Sequence, residues 1–225
     1  MNRACSQSLL RIAMLCLCIT GSTVSPVIAA TPPATPSSSP SFDCSRATGQ
    51  AQQLVCADEQ LATLDRELAR LYTLAARSPQ LSTKQRASLR AYQHGWIKGR
   101  NDCWKADDLR ACVLDSYVMR IHELRRDYAD ARTDTADSLS RGPVYVTCDG
   151  SETGMAATFI HTEPQLACLE SQGRFYTLPL AVSASGARYA ANTGEGEVSF
   201  WSKGDEARVT LPGQAALNCR TGAAR

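Results

Sequence analysis

The spacing of the cysteines constrains the fold of this chain more than any other feature of the sequence. Beyond residue 30 the seven cysteines form a group of four and a group of three: Cys44, Cys56, Cys103 and Cys112, then Cys148, Cys168 and Cys219. A zinc site is not predicted, because no Cys-x-x-Cys spacing occurs and His94, His122 and His161 are isolated in the sequence. Disulfides are favoured in an exported chain, and neither a metal nor a cofactor is expected.

The N-terminal segment predicts export. Residues 1–30 contain no acidic residue, carry Arg3 and Arg11, and are apolar from Ile12 to Ile19. Small residues follow at Ala29 and Ala30, so the pattern predicts a signal peptide that is cleaved near them. The apolar run is too short to span a bilayer. We therefore expect a periplasmic or secreted protein with no transmembrane segment in the mature chain.

A lipid anchor is the alternative, since two cysteines lie within this segment. Cys16 and Cys18 are preceded by Leu15 and Leu17, where lipoprotein signals usually carry a small residue. The sequence therefore favours a cleaved, unanchored form over a lipid-anchored one.

The composition of the remaining chain predicts two domains of different class. Residues 31–42 are rich in Pro, Ser and Thr and predict an extended tether. Residues 43–130 predict a small helical bundle, the polar segment 131–142 a linker, and residues 143–221 a small antiparallel β-barrel. The predicted fold class is thus α+β in separate domains, a disulfide-stapled helical bundle followed by a barrel.

Apolar residues at intervals of three and four predict three helices in the bundle. Ser82 and Gln85 form a capping box for the second helix, and Asp107 or Asp108 is expected to cap the third. The apolar faces are Leu61, Leu64, Leu68, Leu71 and Leu74, then Leu89, Tyr92 and Trp96, then Val113, Tyr117, Ile121, Leu124 and Tyr128.

Short runs of β-branched and aromatic residues, separated by glycine-containing turns, predict the strands of the barrel. These runs are Val144 to Cys148, Ala156 to His161, Arg174 to Leu178, Val198 to Trp201 and Ala207 to Leu211. Closing the sheet removes exposed edges that would favour aggregation.

Within each group of cysteines the simplest pairing joins near neighbours or the ends of a domain. Cys44 with Cys56 and Cys103 with Cys112 would close two short loops, although four cysteines allow three connectivities. A link between Cys148 and Cys219 would close a domain-sized loop and stabilise it by roughly 4 kcal/mol. Cys168 is then left as a buried thiol.

The charge of the mature chain argues against nucleic acid as a partner. Loss of Arg3 and Arg11 lowers the 24 basic residues to 22, equal to the 22 acidic ones. Residues 143–225 are mildly acidic, with six Lys or Arg and eight Asp or Glu, which suits a cationic partner.

Two loops near the C-terminus carry a family resemblance. Residues 183–189 read Ser-Ala-Ser-Gly-Ala-Arg-Tyr, and residues 200–207 read Phe-Trp-Ser-Lys-Gly-Asp-Glu-Ala. The last eighty residues thereby resemble the MliC/PliC inhibitors of c-type lysozyme, which are small eight-stranded barrels with a Ser-Gly-x-x-Tyr loop and a Lys-Gly-x-x-Ala loop.

The resemblance implies an inhibitor that protects peptidoglycan, with c-type lysozyme as its protein partner. Ser185 and Lys203 occupy the positions whose side chains enter the lysozyme cleft in that family and bind its two catalytic carboxyl groups. Gly186 and Gly204 are expected to let the loops turn, and Tyr189 to brace the first one. Together these five residues are the predicted lysozyme-binding set.

The first domain is similar to the LprI-type N-terminal domain over about ninety residues. The similarity rests on the following positions: Cys44, Cys56, Leu61, Asp65, Tyr72, Gln93, Trp96, Arg100, Cys103, Cys112, Tyr117, Arg120 and Ile121. We expect Trp96 and Arg100 to be structural, a core indole with a guanidinium that bonds helix ends.

Two other functions compete with inhibition of lysozyme. A cell-envelope binding module would use the helical domain to hold peptidoglycan or another envelope protein, without inhibition of lysozyme. A hydrolase is not predicted, because the sequence lacks a nucleophile motif, a metal cluster and an assignable acid and base; no catalytic residue is expected.

Two features of the barrel stay open at this level. Ala190 to Glu197 is longer than the corresponding connection in compact relatives, and could lengthen a hairpin, add contacts or block the cleft. Trp201 is equally consistent with a place in the barrel interior and a place at an interface.

Overall fold

A computed structural model describes residues 39–150 and 154–222, and the predicted signal peptide and most of the tether lie outside these residues. The described chain forms four helices followed by an eight-stranded antiparallel barrel, which confirms the predicted fold class. The helices are α1 (Gln50–Ala57), α2 (Glu59–Arg77), α3 (Thr83–Asn101) and α4 (Leu109–Asp127), with short 3-10 turns at Cys44–Arg46, Asp102–Lys105 and Ala129–Arg132. The strands are β1 (Ser140–Cys148), β2 (Met155–Ile160), β3 (Leu166–Ser171), β4 (Arg174–Ala181), β5 (Ala187–Thr193), β6 (Gly196–Lys203), β7 (Glu206–Thr210) and β8 (Leu217–Gly222).

Capping side chains fix where the helices begin. Asp58 accepts the Leu61 N–H at the start of α2, and Ser82 and Gln85 form the predicted capping box of α3. Of the two candidate caps for α4, Asp108 is the one that accepts, from the Ala111 N–H at 2.9 Å. Helix α1 is an additional element that the periodicity of the sequence does not reveal, since it has only eight residues.

Disulfides hold the periphery of the bundle to its core. Cys44 is bonded to Cys56 and Cys103 to Cys112, the pairing of near neighbours. Each bond ties a 3-10 turn to a helix, which restrains segments with little apolar surface of their own.

The bundle core contains a buried polar chain that runs through Tyr117. Arg100 Nη1 donates to the Tyr117 hydroxyl at 2.5 Å, and that hydroxyl donates to Asp65 Oδ1 at 2.8 Å. Burial raises the pKa of Tyr117, so the phenol keeps its proton and remains a donor. Trp96 Nε1 donates to the Ser116 carbonyl at 3.1 Å, so Trp96 and Arg100 serve the fold.

One assignment in the predicted apolar face of α3 is wrong. Tyr92 is 55% exposed, whereas Leu89, Gln93, Trp96 and Arg100 form the buried stripe of this helix. The buried Gln93 amide oxygen accepts from Arg120 Nε at 3.1 Å, so a polar side chain with a partner occupies the inward position.

The barrel closes through the pairing of its first and last strands. Each strand pairs antiparallel with its neighbour in sequence, and β1 pairs with β8. Cys148 and Cys219 lie directly opposite each other in that pairing and form the third disulfide. Strands β3, β5 and β8 were not predicted from the sequence.

The helices and the barrel contribute side chains to one shared buried cluster. Ile160, Leu166 and Cys168 of the barrel belong to the same buried cluster as the leucines of α2 and α4. Cys168 is a buried free cysteine, as its position in the sequence suggested.

Polar contacts along α4 reinforce this contact with the barrel. His122 is fully buried, with Nδ1 2.9 Å from Thr158 Oγ1 and Nε2 2.8 Å from Glu170 Oε2. Arg126 Nη1 donates to the other oxygen of Glu170 at 2.7 Å. Arg125 donates through Nε to the Gly142 carbonyl at 2.8 Å.

The segment 131–142, predicted as a linker, is part of the folded structure. Ala131 and Ser140 are both fully buried, and strand β1 begins at Ser140. Glu67 of α2 accepts hydrogen bonds from the main-chain N–H and the hydroxyl of Ser140. Arg132, Asp134 and Ser140 bond to groups of α2 and α4, whereas residues 135–137 are exposed.

Candidate functional site

The two loops singled out in the sequence lie side by side at one end of the barrel. Ser185 is in the connection between β4 and β5, and Lys203 ends β6. Ala187 pairs with Ser202 in the β5–β6 register, so the residue after Gly186 lies opposite the residue before Lys203. The antiparallel pairing itself therefore brings the two loops together.

Gly186 allows the close approach of these loops. Its φ is +70°, and a Cβ added there would collide with the Ser202 carbonyl oxygen. The same Cβ would lie 3.1 Å from Lys203 Cβ and 3.1 Å from Trp201 Nε1. Any other residue would strain the backbone and push the serine loop away from Lys203.

The backbone of Ser185 is held while its side chain faces solvent. Its carbonyl oxygen accepts from Trp201 Nε1 at 2.8 Å and from Ser183 Oγ at 2.7 Å. Ser185 is exposed, and within residues 39–150 and 154–222 its hydroxyl has no hydrogen-bond partner. The hydroxyl is thus presented on an ordered loop.

Lys203 is presented in the same way by the tight turn that follows it. Gly204 has a φ of +62° at the first position of the two-residue turn between β6 and β7, a position that favours glycine. The Asp205 carbonyl accepts from the Thr221 N–H at 2.8 Å, and the Asp205 carboxylate pairs with Arg220 at 3.1 Å. No carboxylate of the described residues pairs with the exposed Lys203 ammonium group.

Tyr189 differs from the other four predicted site residues because it is a core residue. It is 4% exposed, and its ring lies 5.5 Å from that of Phe159 inside the barrel. Burial raises the pKa of its phenol, whose hydroxyl is 3.5 Å from Gln165 Oε1. Its side chain therefore supports the start of β5 from within the barrel.

Trp201 lies on the outer surface of the barrel and connects that surface to the serine loop. It is half-buried, and its cross-strand neighbours are Arg188 and Arg208. The indole N–H bond to Ser185 is the feature that sequence reasoning missed, because spacing does not show which loop carbonyl lies within reach.

The long connection from Ala190 to Glu197 extends the β5–β6 hairpin away from the site. It turns at residues 194–195, and Thr193 Oγ1 donates to the Gly196 carbonyl at 2.8 Å. Seven residues of β5 separate this turn from the serine loop, a distance of about 20 Å at about 3.3 Å per residue. The longer hairpin therefore leaves the end that carries Ser185 and Lys203 open.

Among the residues that the structure describes, no group of three or more His, Cys, Asp or Glu side chains could hold a metal ion. In the same residues, no helix combines the length and the apolar character that crossing a membrane requires.

Comparison with known families assigns the two halves separately. Residues 146–218 match the family model described as membrane-bound lysozyme-inhibitor of c-type lysozyme. Residues 44–134 match the model described as lysozyme inhibitor LprI. The stapled bundle and the barrel thus match two families of lysozyme inhibitors, a class without enzymatic activity.

Whole-chain relatives carry both parts. Proteins called lipoprotein LprI, from Mycobacterium bovis and Mycobacterium tuberculosis, are 32% identical over 197 residues, which cover 86% of this chain and 91% of theirs. The chain belongs to the LprI family. No solved structure matches it.

Proposed function

We propose that this protein inhibits c-type lysozyme by placing the Ser185 and Lys203 side chains in the active-site cleft of the enzyme. The observation that carries the proposal is their juxtaposition: two exposed polar groups without partners among the described residues, on adjacent loops held by Gly186 and Trp201. The match of residues 146–218 to c-type lysozyme inhibitors supports the choice of target.

The chemistry of the two side chains fits the target. Lysozyme acts with one protonated carboxyl group and one ionised carboxylate, which lie close together in its cleft. A lysine ammonium group has three donors, and a serine hydroxyl both donates and accepts, so the pair can satisfy both carboxyl groups. Neither Ser185 nor Lys203 must first break a bond to another described side chain, which lowers the cost of binding.

The charges around Lys203 also support its proposed contact with a lysozyme carboxylate. Two acidic residues lie close to Lys203: Asp205 pairs with Arg220, and Glu206 lies opposite Lys203 in the β6–β7 register without forming an ion pair with it. The ammonium group therefore keeps its attraction for an external carboxylate, and charge-assisted bonds in a cleft from which water is excluded are stronger than surface pairs.

The proposed location is the periplasm or the exterior, after cleavage near Ala29 or Ala30. The relatives are called lipoproteins, whereas the leucines before Cys16 and Cys18 disfavour acylation here. Mass spectrometry of the protein from its native envelope tests this directly. A chain that begins near residue 30 without a lipid supports cleavage; a chain that begins at Cys16 or Cys18 and carries acyl groups overturns it.

The functional test is residual c-type lysozyme activity on cell-wall substrate at increasing concentrations of the mature protein. The Ser185→Ala, Lys203→Ala double variant should lose inhibition. The matched control is Arg174→Ala, Glu195→Ala, which removes an exposed 2.8 Å ion pair next to the far hairpin turn and should inhibit like the parent. Full lysozyme activity with the parent at micromolar concentration would refute the proposal, and equal inhibition by both double variants would move the site elsewhere.

A further inference from the structure

Helix α3 is basic, although the net charge of the mature chain is close to zero. From Leu68 to Asn101 the chain has seven basic residues and no acidic one, and five of the seven lie in α3. Two of these five serve the fold: Arg86 donates to the Leu81 carbonyl at 3.0 Å, and Arg100 to Tyr117.

The other three basic residues of α3 are available to a ligand. Lys84, Arg90 and Lys98 are exposed. No carboxylate in the described part of the chain pairs with any of them. Arg90 and Lys98 are two helical turns apart and flank the exposed His94, so they form a basic ridge along one side of the helix.

Beside this ridge, α3 has a row of small residues, so this bare face of the helix lets a ligand approach the backbone closely. Ala87, Ala91, Gly95 and Gly99 recur every fourth residue and are exposed, so they share the outward face. A Cβ added at Gly95 or Gly99 would meet nothing within 4 Å. Packing within the protein therefore does not require glycine at either position, although glycine destabilises the interior of a helix.

Tyr92 provides a fixed aromatic surface at the edge of this bare face. One side of its ring is covered by the Arg120 guanidinium group, 4.4 Å from the ring centroid, and its hydroxyl donates to Glu123 Oε1 at 3.1 Å. The side chain is nevertheless 55% exposed. Gly95 and Gly99, three and seven residues further on, leave the space beside the ring open.

We infer that the outward face of α3 binds an acidic cell-wall glycan, a chain of sugar rings whose attached peptides bear carboxylates. The Tyr92 ring would stack on an apolar sugar face, the bare helix surface would admit the chain closely, and Arg90 and Lys98 would pair with its carboxylates. The site is distinct from the loops at the end of the barrel.

Charge and shape favour this ligand over two others. A cationic partner, such as the one that the mildly acidic barrel suits, would be repelled by the basic ridge. A bilayer would require large apolar side chains to insert, whereas the centre of the face carries alanine and glycine together with Lys84, Ser88 and Lys98. The glycan interaction would hold the inhibitor on the polymer that lysozyme attacks.

Co-sedimentation of the mature chain with insoluble peptidoglycan sacculi tests the inference. We expect the parent in the pellet, with less bound as salt rises. Arg90→Gln, Lys98→Gln should bind roughly fivefold more weakly, in keeping with the loss of two exposed charge pairs. The matched control Arg174→Gln, Arg220→Gln removes two exposed charges from the barrel and should bind like the parent.

A second variant removes the risk that lost binding reflects lost folding. Gly95→Leu, Gly99→Leu adds bulk where nothing lies within 4 Å, so the fold should be kept and binding lost. The inference is overturned if the parent stays in the supernatant, if both charge variants pellet equally, or if the leucine variant binds like the parent. Pelleting with phosphatidylglycerol vesicles but not with sacculi would also overturn it, in favour of a membrane surface.

Discussion

The Trp201 indole of β6 donates its N–H at 2.8 Å to the carbonyl oxygen of Ser185, sixteen residues earlier in the sequence. This bond fixes the backbone from which the Ser185 hydroxyl projects. Because Trp201 lies two residues before Lys203 in β6, the lysine strand itself positions the serine loop.

Replacement of Trp201 by phenylalanine keeps an aromatic ring and removes the N–H donor. We expect inhibition of c-type lysozyme to weaken about three- to tenfold, the effect of one hydrogen bond worth about 0.5–1.5 kcal/mol. The Tm should change little, since the bond lies at the surface. Inhibition titrations of parent and variant check this, and an unchanged inhibition constant would mean that the serine loop is ordered without the bond.

Gly186→Ala should damage both the loop and the barrel end. The added methyl group meets the Ser202 carbonyl at a φ of +70°, so we expect a loss of about 1–3 kcal/mol in the free energy of unfolding. Inhibition should weaken in parallel. Gly204→Ala is the comparison, because its φ is +62° but nothing lies within 4 Å of the added Cβ. Urea unfolding should show the larger loss for Gly186→Ala; equal losses would mean that the collision relaxes.

Acid should weaken the contact between α4 and the barrel. Burial lowers the pKa of His122, so this residue is neutral near pH 7 and its Nε2–H donates to Glu170, while Nδ1 accepts from Thr158. The pKa of Glu170 is also lowered: burial opposes ionisation, but the hydrogen bonds from His122 and Arg126 outweigh it.

The sign of the pH effect is the same for both groups. A pKa that is lower in the folded state means that the unfolded state binds more protons, so stability falls as the pH decreases. For His122 the loss of stability begins below about pH 6.5 and for Glu170 below about pH 4.3. The free energy of unfolding of the parent should fall more between about pH 7.5 and pH 5 than that of His122→Gln. Equal falls would exclude His122 as the source.

Removal of the β1–β8 disulfide should destabilise the barrel more than the loss of any single hydrogen bond. The bond closes a loop with a sequence separation of 71 residues, for which the expected stabilisation is about 4 kcal/mol. Cys148→Ala, Cys219→Ala should therefore lower the Tm strongly. Cys168→Ala serves as the control, since that thiol is unbonded and its removal costs only local packing. A similar Tm for all three proteins would show that strand pairing alone closes the barrel.

Residues with local signals could be predicted from the sequence, and residues that depend on tertiary partners could not. The Ser82 and Gln85 capping box and the short cysteine loops act within a few positions of the chain. Strand β3 lacks an alternating pattern because it is buried almost throughout, between the barrel interior and α4. The alternation of apolar and polar residues that predicts a strand is therefore missing from β3.

In the candidate site, too, local motifs could be predicted from the sequence, whereas the burial of individual side chains could not. Ser185 and Lys203 were predicted from loop motifs, and their adjacency follows from the register of β5 and β6. The burial of Tyr189 and the outward position of Trp201 depend on which face of each strand turns inward, a choice that a register change of one residue would reverse.

The hydrogen bonds between Glu67 and Ser140 join α2 to the first residue of the barrel. The helices and the strands therefore belong to one compact unit with a shared buried cluster. We expect a ligand on α3 and a partner at the end of the barrel to be held at an angle that this shared cluster sets. Both could then be bound at once only where their own geometry matches that angle.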